Sequence, residues 1–323
     1  MKVLKFGGTS VGNAESITSV LKHCLKEKTK KKIIVLSANA GITDMLVEII
    51  NLLPHNRDEA ENISDEISDN LCTIASDLDL FGEPFDRLEE MHDLLTDLIK
   101  GAYKLDYLSP KFANRILALG EYISTSLFID FYNNFQSGYL MDIAQHLSYN
   151  SKTNTYELKD KERIAHLLEE YDTIVTQGFI CLDEHGNLSN LGRGGSDFTA
   201  SILAAEMDAE ELQIWTDVNG ILSADPRVIA QPITKNSINV SNLSRMAFFG
   251  AKVVHPETLK PTLEKKIPVK ILNTFNDENS GTLVSNEKSN SIPTFTLKKN
   301  CVQYTFSTMK KRNLYFINKH ISN

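Results

Sequence analysis

The stretch VLKFGGTSVGNAESITSVLKHCLK, residues 3–26, decides the fold. Residues 2–6 read as a short buried strand, punctuated at its end by Gly7, Gly8 and Gly12. Helical periodicity then runs from Ala14 to Lys26. The unit repeats at once: Lys32 to Ser37 is a second apolar strand, Ala-Asn-Ala-Gly closes it, and a helix is expected over Thr43–Leu53. Strand, loop, helix, strand is the rhythm of a parallel α/β sheet covered on both faces.

Working outward, about 55–135 is helical in pattern, rich in acids and poor in glycine, and reads as helices inserted into the sheet order. Strands are expected near Gly138–Asp142, Thr173–Gln177, Leu212–Thr216, Pro268–Leu272 and Thr282–Val284, with helices over Asp197–Met207 and Glu257–Lys265. Residues 286–292 are polar and read as a linker. Beyond them, within 293–323, the stretch CVQYTFS (301–307) alternates apolar and polar residues, with Val302, Tyr304 and Phe306 on one face of a half-buried strand. Two or three short strands cannot bury an apolar face alone, so this segment reads as an incomplete second domain.

Composition narrows the function. A chain of 323 residues that is 41% hydrophobic and 24% charged is an ordinary globular protein. No run approaches the roughly 18 apolar residues of a membrane helix, and MKVLKFGGTS enters a strand directly, so a cytoplasmic location is expected. The formal net charge of -8 argues against nucleic acid as a partner. Residues 298–323 do hold six Lys or Arg and no acid, but the alternation of CVQYTFS within them favours a strand over a basic arm. Cys24, Cys72, Cys181 and Cys301 have no CxxC spacing and read as buried reduced thiols. The histidines show no HExxH or clustered spacing, so no protein-bound metal is expected, and His255 reads as packing at the turn before Pro256.

Three glycine- and hydroxyl-rich loops carry the chemistry. In Lys5-Phe6-Gly7-Gly8-Thr9-Ser10-Val11, two glycines after a strand let backbone N–H groups approach an anion, with Lys5 adding positive charge. In Leu191-Gly192-Arg193-Gly194-Gly195-Ser196-Asp197, a second such loop opens a helix. Arg193 suits a bidentate grip on a carboxylate, while Asp197 is either a helix N-cap or a polar active-site group. In Ser37-Ala38-Asn39-Ala40-Gly41-Ile42-Thr43 the loop again comes after a strand, with Thr43 as N-cap or ligand. Loops past the carboxyl ends of parallel strands are where open α/β sheets bind ligands. Trp215–Gly220, Ser223–Arg227 and Phe249–Pro256 add further turns and charges suited to a nucleotide. A P-loop, the protein-kinase set, a nucleophile elbow and the Rossmann spacing are all missing from the sequence.

Taken together, these motifs resemble the aspartokinase family, within the amino-acid kinase fold. The matching stretches are KFGGTSV (5–11), LSANAGITD (36–44), GE (120–121), TQGF (176–179), LGRGGSDFTA (191–200), IWTDVNGILSADPR (214–227) and FGAKVVHPETL (249–259). The resemblance implies a three-layer αβα sandwich on a mostly parallel eight-stranded sheet spanning 1–285, continued by a C-terminal fragment of an ACT-like regulatory domain. It implies Lys5 and Asp197 as the catalytic centre. Thr43, Glu121, Arg193, Gly194, Gly195 and Ser196 would bind L-aspartate, and Gly7, Gly8, Ser37, Thr216, Asp217, Arg227 and Lys252 would bind or surround ATP with Mg2+. The expected assembly is a homodimer. Leu222 stands where many relatives have tyrosine, which puts an aromatic contact to ATP in doubt. The lead-in and VKILNT (269–274) are similar to the kinase half of bifunctional aspartokinase–homoserine dehydrogenases. Two other readings stay open: a glutamate or acetylglutamate kinase of the same fold, and a non-catalytic sensor of amino acid and nucleotide.

Overall fold

Strand β1 (Lys2–Phe6) and strand β2 (Lys32–Leu36) are buried along nearly their whole length, as continuous apolar runs require. Helix α1 (Ala14–Lys26) joins them, started by Asn13, whose side chain accepts the Ser16 N–H at 2.9 Å. The structure is a computed structural model that describes residues 1–286 and 293–296, apart from 54, 106, 250, 252, 253, 277 and 279.

After β2 come α2 (Ile42–Leu52) and a run of three long helices, α3 (Arg57–Asp77), α4 (Glu83–Leu105) and α5 (Pro110–Asn133). Strand β3 (Tyr139–Met141), β4 (Leu147–Asn150) and β5 (Thr155–Leu158) precede α6 (Lys161–Tyr171) and β6 (Thr173–Gln177). Strands β7 (Ile180–Leu182) and β8 (Leu188–Asn190) lead to α7 (Gly195–Glu206) and β9 (Glu211–Thr216). The remainder is β10 (Ser237–Asn239), α8 (Val240–Phe248), a 3-10 turn at Pro256–Leu259, α9 (Lys260–Glu264), β11 (Val269–Asn273) and β12 (Thr282–Ser285).

Eight strands form one sheet in the order β10-β12-β11-β9-β1-β2-β6-β3. From β3 across to β11 every pairing is parallel, and β12 turns antiparallel against β11. Side-chain alternation assigns the two faces. Leu4, Phe6, Ile34, Leu36 and Val175 point into a core shared with α1 to α5. Val3, Ile33, Val35, Ile174, Leu212 and Ile214 point into the other, shared with α6 to α9. The result is the three-layer αβα sandwich expected from the motifs.

Several elements differ from the sequence reading. A second sheet, β5-β4-β7-β8, covers the α7 side of the molecule. Its strands are three or four residues long, too short for alternation to show. The helix expected over Glu257–Lys265 is split into the 3-10 turn and α9, because Pro261 interrupts the ladder of amide donors. His255 is exposed, and it is its carbonyl, accepting from Thr258 N and Oγ1, that organises the turn. Cys24 and Cys181 are buried thiols, but Cys72 is only half-buried. The linker and regulatory segment fall mostly on 287–292 and 297–323, outside the described residues, as does Cys301. Among the described residues, no helix is long and apolar enough to cross a membrane.

Chain order fixes where a ligand can sit. From β1 the chain moves to β2 and on to β6 on one side, then returns to β9 on the other side of β1. The loops after β1 and β9 therefore diverge, and a crevice opens between them at the carboxyl ends of the strands. Because β1 and β2 carry both cores, Ile34, fully buried on β2, tests the packing. Ile34→Ala should lower unfolding free energy by about 2–5 kcal/mol in a urea titration, whereas an unchanged midpoint would contradict this placement of β2.

Candidate active site

The parallel strands end in register: Phe6 is opposite both Leu36 and Trp215, and Leu36 is opposite Gln177. Each adjoining loop begins by extending the ladder. Gly7 N donates to Trp215 O at 3.1 Å, Ser37 N to Phe6 O at 3.2 Å, and Gly178 N to Leu36 O at 2.8 Å. Three loops are thus fastened side by side to the ends of neighbouring strands.

They also touch through backbone. A Cβ on Gly8 would come within 2.9 Å of the Ala38 carbonyl oxygen, so this turn closes on the loop after β2 only with glycine there. A Cβ on Gly178 would overlap Ser196, pinning the loop after β6 to the start of α7. Gly194, in the left-handed region at φ 75°, is the N-cap of α7, so Asp197 does not cap the helix but lies within its first turn. Thr43 is likewise not an N-cap: Gly41, at φ 84°, takes that place in α2, and Thr43 sits half-buried in the first turn.

Freed from capping, Asp197 faces Lys5. Oδ1 lies 2.7 Å from Lys5 Nζ, a close ion pair without an aligned hydrogen bond, with both side chains largely buried. Lys5 shares the strand face of Val3, the side on which α7 packs. The ammonium is also close to the glycine turn, 3.7 Å from where a Gly7 Cβ would be. A positive charge, backbone N–H groups and a helix N-terminus therefore meet at one point, a constellation suited to phosphate oxygens.

Glu121 approaches from the opposite layer. It lies within α5, which packs so closely on the loop after β2 that a Cβ on Gly120 would sit 2.9 Å from the Ala38 side chain. Ser124 Oγ donates to Ser37 O at 2.8 Å, and Ala38 N donates to Glu121 Oε1 at 3.2 Å. Glu121 is 3% exposed, and its Oε2 has no partner among the described residues. Burial raises its pKa to about 7, against the smaller opposing effect of the Ala38 N–H. Glu211, at the other end of the sheet, shows the contrast. Burial pushes it up too, but Lys270 Nζ at 2.6 Å and Gln213 Nε2 at 2.8 Å bring its pKa below the ordinary value. Glu121 is thus a buried acid still short of a cationic partner.

The other expected site residues are less concentrated. Gly194, Gly195 and Ser196 form the start of α7 beside Phe179 and Gly178. Arg193 is exposed on the preceding turn, without a carboxylate partner among the described residues. At the end of β9, Thr216 Oγ1 donates to Asp217 Oδ1 at 3.1 Å. Arg227 lies farther out, forked onto Asp225 through Nε at 3.0 Å and its terminal nitrogen at 2.6 Å. Leu222 bridges Thr234 in the same loop region. Lys252 lies outside the described residues. Asn39, a loop residue to which sequence reasoning assigns no role, is buried and donates from Nδ2 to Val11 O at 2.5 Å, while Oδ1 has no partner among the described residues. An asparagine flanked by alanines in a glycine loop is the available signal. Two cavities elsewhere, one of about 10 Å³ between α3 and α4 and one of about 280 Å³ between α8 and residues 293–296, touch none of these groups.

The sequence profile of the Amino acid kinase family matches residues 1–273. The chain belongs to the amino acid kinase family. Lysine-sensitive aspartokinase 3 of Escherichia coli K12 is 33% identical over 298 residues, covering 89% of this chain and 65% of that protein. The chloroplastic bifunctional aspartokinase/homoserine dehydrogenase 1 of Zea mays is 31% identical over 301 residues, 89% of this chain but 32% of its own length. Among solved structures, E. coli aspartokinase III in complex with aspartate and ADP superposes with a TM-score of 0.79 at 31% identity, over 90% of this chain and 65% of that one. The chain therefore spans about a third of the bifunctional relative and under two thirds of these aspartokinases.

The Glu121 environment makes a pH-dependent expectation. Its folded pKa of about 7 lies above the ordinary 4.5, so the folded state keeps a proton that the unfolded chain releases. Stability is favoured at low pH and declines as pH rises from 4.5 through about 7. Relative to Glu121→Gln, the native protein should lose up to about 3 kcal/mol across that window, read from denaturation midpoints. Parallel pH profiles for the two proteins would contradict the burial argument.

Proposed function

We propose that this chain transfers the γ-phosphoryl group of magnesium-ATP to the side-chain carboxylate of L-aspartate, giving 4-phospho-L-aspartate. The observation that carries this reading is the Lys5–Asp197 pair, 2.7 Å apart beside the Gly7–Gly8 turn, with the half-satisfied Glu121 across the same loop cluster. The superposition on an aspartokinase solved with aspartate and ADP supports the choice of acceptor and donor.

The acceptor's carboxylate has a reference pKa near 4 and is ionised at neutral pH, so no general base is needed. One of its oxygens forms a bond to the γ-phosphorus as the bond from phosphorus to the β–γ bridging oxygen breaks. ADP leaves with that electron pair, and no proton changes hands. The obstacle is repulsion between two anions, and the site should therefore supply positive charge and fixed dipoles. In this reading Lys5 and the Gly8 and Gly194 amides supply them, the Gly7 and Gly195 amides being engaged by Trp215 O and Gly192 O, with Lys252 assigned to the phosphates. Asp197 holds the Lys5 ammonium in position. Magnesium arrives as part of the substrate, on the phosphate oxygens, as is usual for this ion. Ser37, Thr216, Asp217 and Arg227 surround the nucleotide in this reading.

Arg193 would orient aspartate through a carboxylate, with Thr43 and Ser196 completing that side. Glu121 would receive the ammonium group, which supplies the partner that Oε2 lacks. We further read 1–285 as the catalytic unit, 293–323 as the opening of an ACT-like segment, and the working assembly as a cytoplasmic homodimer.

Lys5→Ala and Asp197→Ala should each reduce turnover at least about a hundredfold while far-ultraviolet circular dichroism is unchanged. Either variant turning over normally would remove that residue from the mechanism. A panel of aspartate, glutamate and N-acetylglutamate, monitored by ADP release, should respond to aspartate alone. Release with glutamate instead would change the acceptor, and ligand binding without ADP release would make the chain a sensor.

A further inference from the structure

The Gly7–Gly8 turn is held in place by a closed circuit of contacts. Gly7 N donates to Trp215 O at 3.1 Å, and the Trp215 ring lies on the His23 ring with centroids 4.1 Å apart. His23 Nε2 is 2.8 Å from Thr274 O, and Thr274 Oγ1 is 2.7 Å from Ser10 Oγ. Ser10 N then returns to Gly7 O at 2.9 Å. Thr274 joins β9 as well, donating its N–H to Thr216 O at 2.8 Å.

Thr274 lies just past β11, 264 residues from Ser10, and both are fully buried. Their side-chain bond is the only link in the circuit made wholly by hydroxyls; the others use backbone or an aromatic ring. Removing one hydroxyl leaves the other buried without its partner, which costs far more than the bond contributes in water. A turn built from two glycines has little rigidity of its own, so its amides point reliably only if something outside the turn fixes them. Ser10, two residues past Gly8, is the point at which that fixing is applied.

We propose that Thr274 is a positioning residue for the phosphate-binding turn. Its hydroxyl, acting through Ser10, holds the turn so that the Gly8 amide meets the phosphates of a nucleotide, the Gly7 amide being engaged by Trp215 O. This rests on the reading of the turn as the phosphate site, and extends it to a residue 264 positions from Ser10 in sequence, just past the strand next but one to β1, to which that reading gives no substrate contact. The effect should therefore fall on the nucleotide side of the reaction and spare the amino acid side.

The test is a cycle of Thr274→Val, Ser10→Ala and the double variant, with Thr274→Ser as the conservative control. Magnesium-ADP affinity is measured by calorimetry, and kcat and KM for both substrates by ADP release. Thr274→Val and Ser10→Ala should each weaken magnesium-ADP binding by about tenfold or more, the loss expected when the turn holds its binding-competent geometry only about a tenth of the time. The KM for aspartate should stay within about twofold, and the double variant should be no worse than the worse single, since both remove one bond. Thr274→Ser should bind nucleotide like the native protein. Native magnesium-ADP affinity in Thr274→Val, a serine variant as weak as valine, equal losses for both substrates, or losses that multiply in the double variant would each overturn the proposal. If neither single variant folds, the bond is a folding element and the positioning role is wrong. Nucleotide affinity can be compared even if aspartate proves not to be the acceptor, so the two readings fail separately.

Discussion

The site depends on one constraint: glycine turns at the carboxyl ends of the strands approach one another more closely than any side chain would allow. Gly8 lies against the Ala38 carbonyl and Gly178 against Ser196, so two pairs of loops are joined at backbone distance. Only then does Lys5, at the end of the central strand, come within 2.7 Å of Asp197 at the start of α7. Separate the loops by the width of a methyl group, and the ammonium, the amides and the carboxylate no longer share a point. The sheet order supplies the rest, because the chain reverses direction beside β1 and leaves a crevice at that place.

Charge is handled differently at the two ends of the sheet. At the amino end, Lys2, Glu27, Glu211 and Lys270 form a mutually satisfied network in which buried carboxylates stay ionised. At the carboxyl end, Glu121 has one N–H donor and an unpartnered oxygen, and burial lifts its pKa to about 7. Proteins seldom leave a buried carboxylate in that condition without a use for it, since the penalty is carried by every folded molecule. An arriving ammonium group is the kind of partner that would remove the penalty.

Much of this was legible in the sequence, and the reasons are local. Strand β6 is Thr173–Gln177 and helix α1 is Ala14–Lys26, as their patterns predict, because each is a buried run or an amphipathic stripe long enough to show its period. The short strands β4, β5, β7 and β8 carry no such signal and owe their existence to packing over α7. Glycine-rich motifs identified the loops that meet, but a motif does not say which residue of a loop is turned inward. Thus Asp197 and Thr43 could each be read as caps, whereas glycines at positive φ take both capping positions. The Ser10–Thr274 bond was out of reach for the same reason: neither residue is unusual until the fold puts them 2.7 Å apart.

The most direct test of the convergence is a crystal structure of the protein with magnesium-ADP, aluminium fluoride and aspartate. Convergence on Lys5 predicts a planar phosphoryl mimic within about 3 Å of Lys5 Nζ and of at least one amide from the Gly7–Gly8 turn, between ADP and the aspartate side chain. A mimic bound away from Lys5, or aspartate seated on the other side of α5 from Glu121, would contradict it.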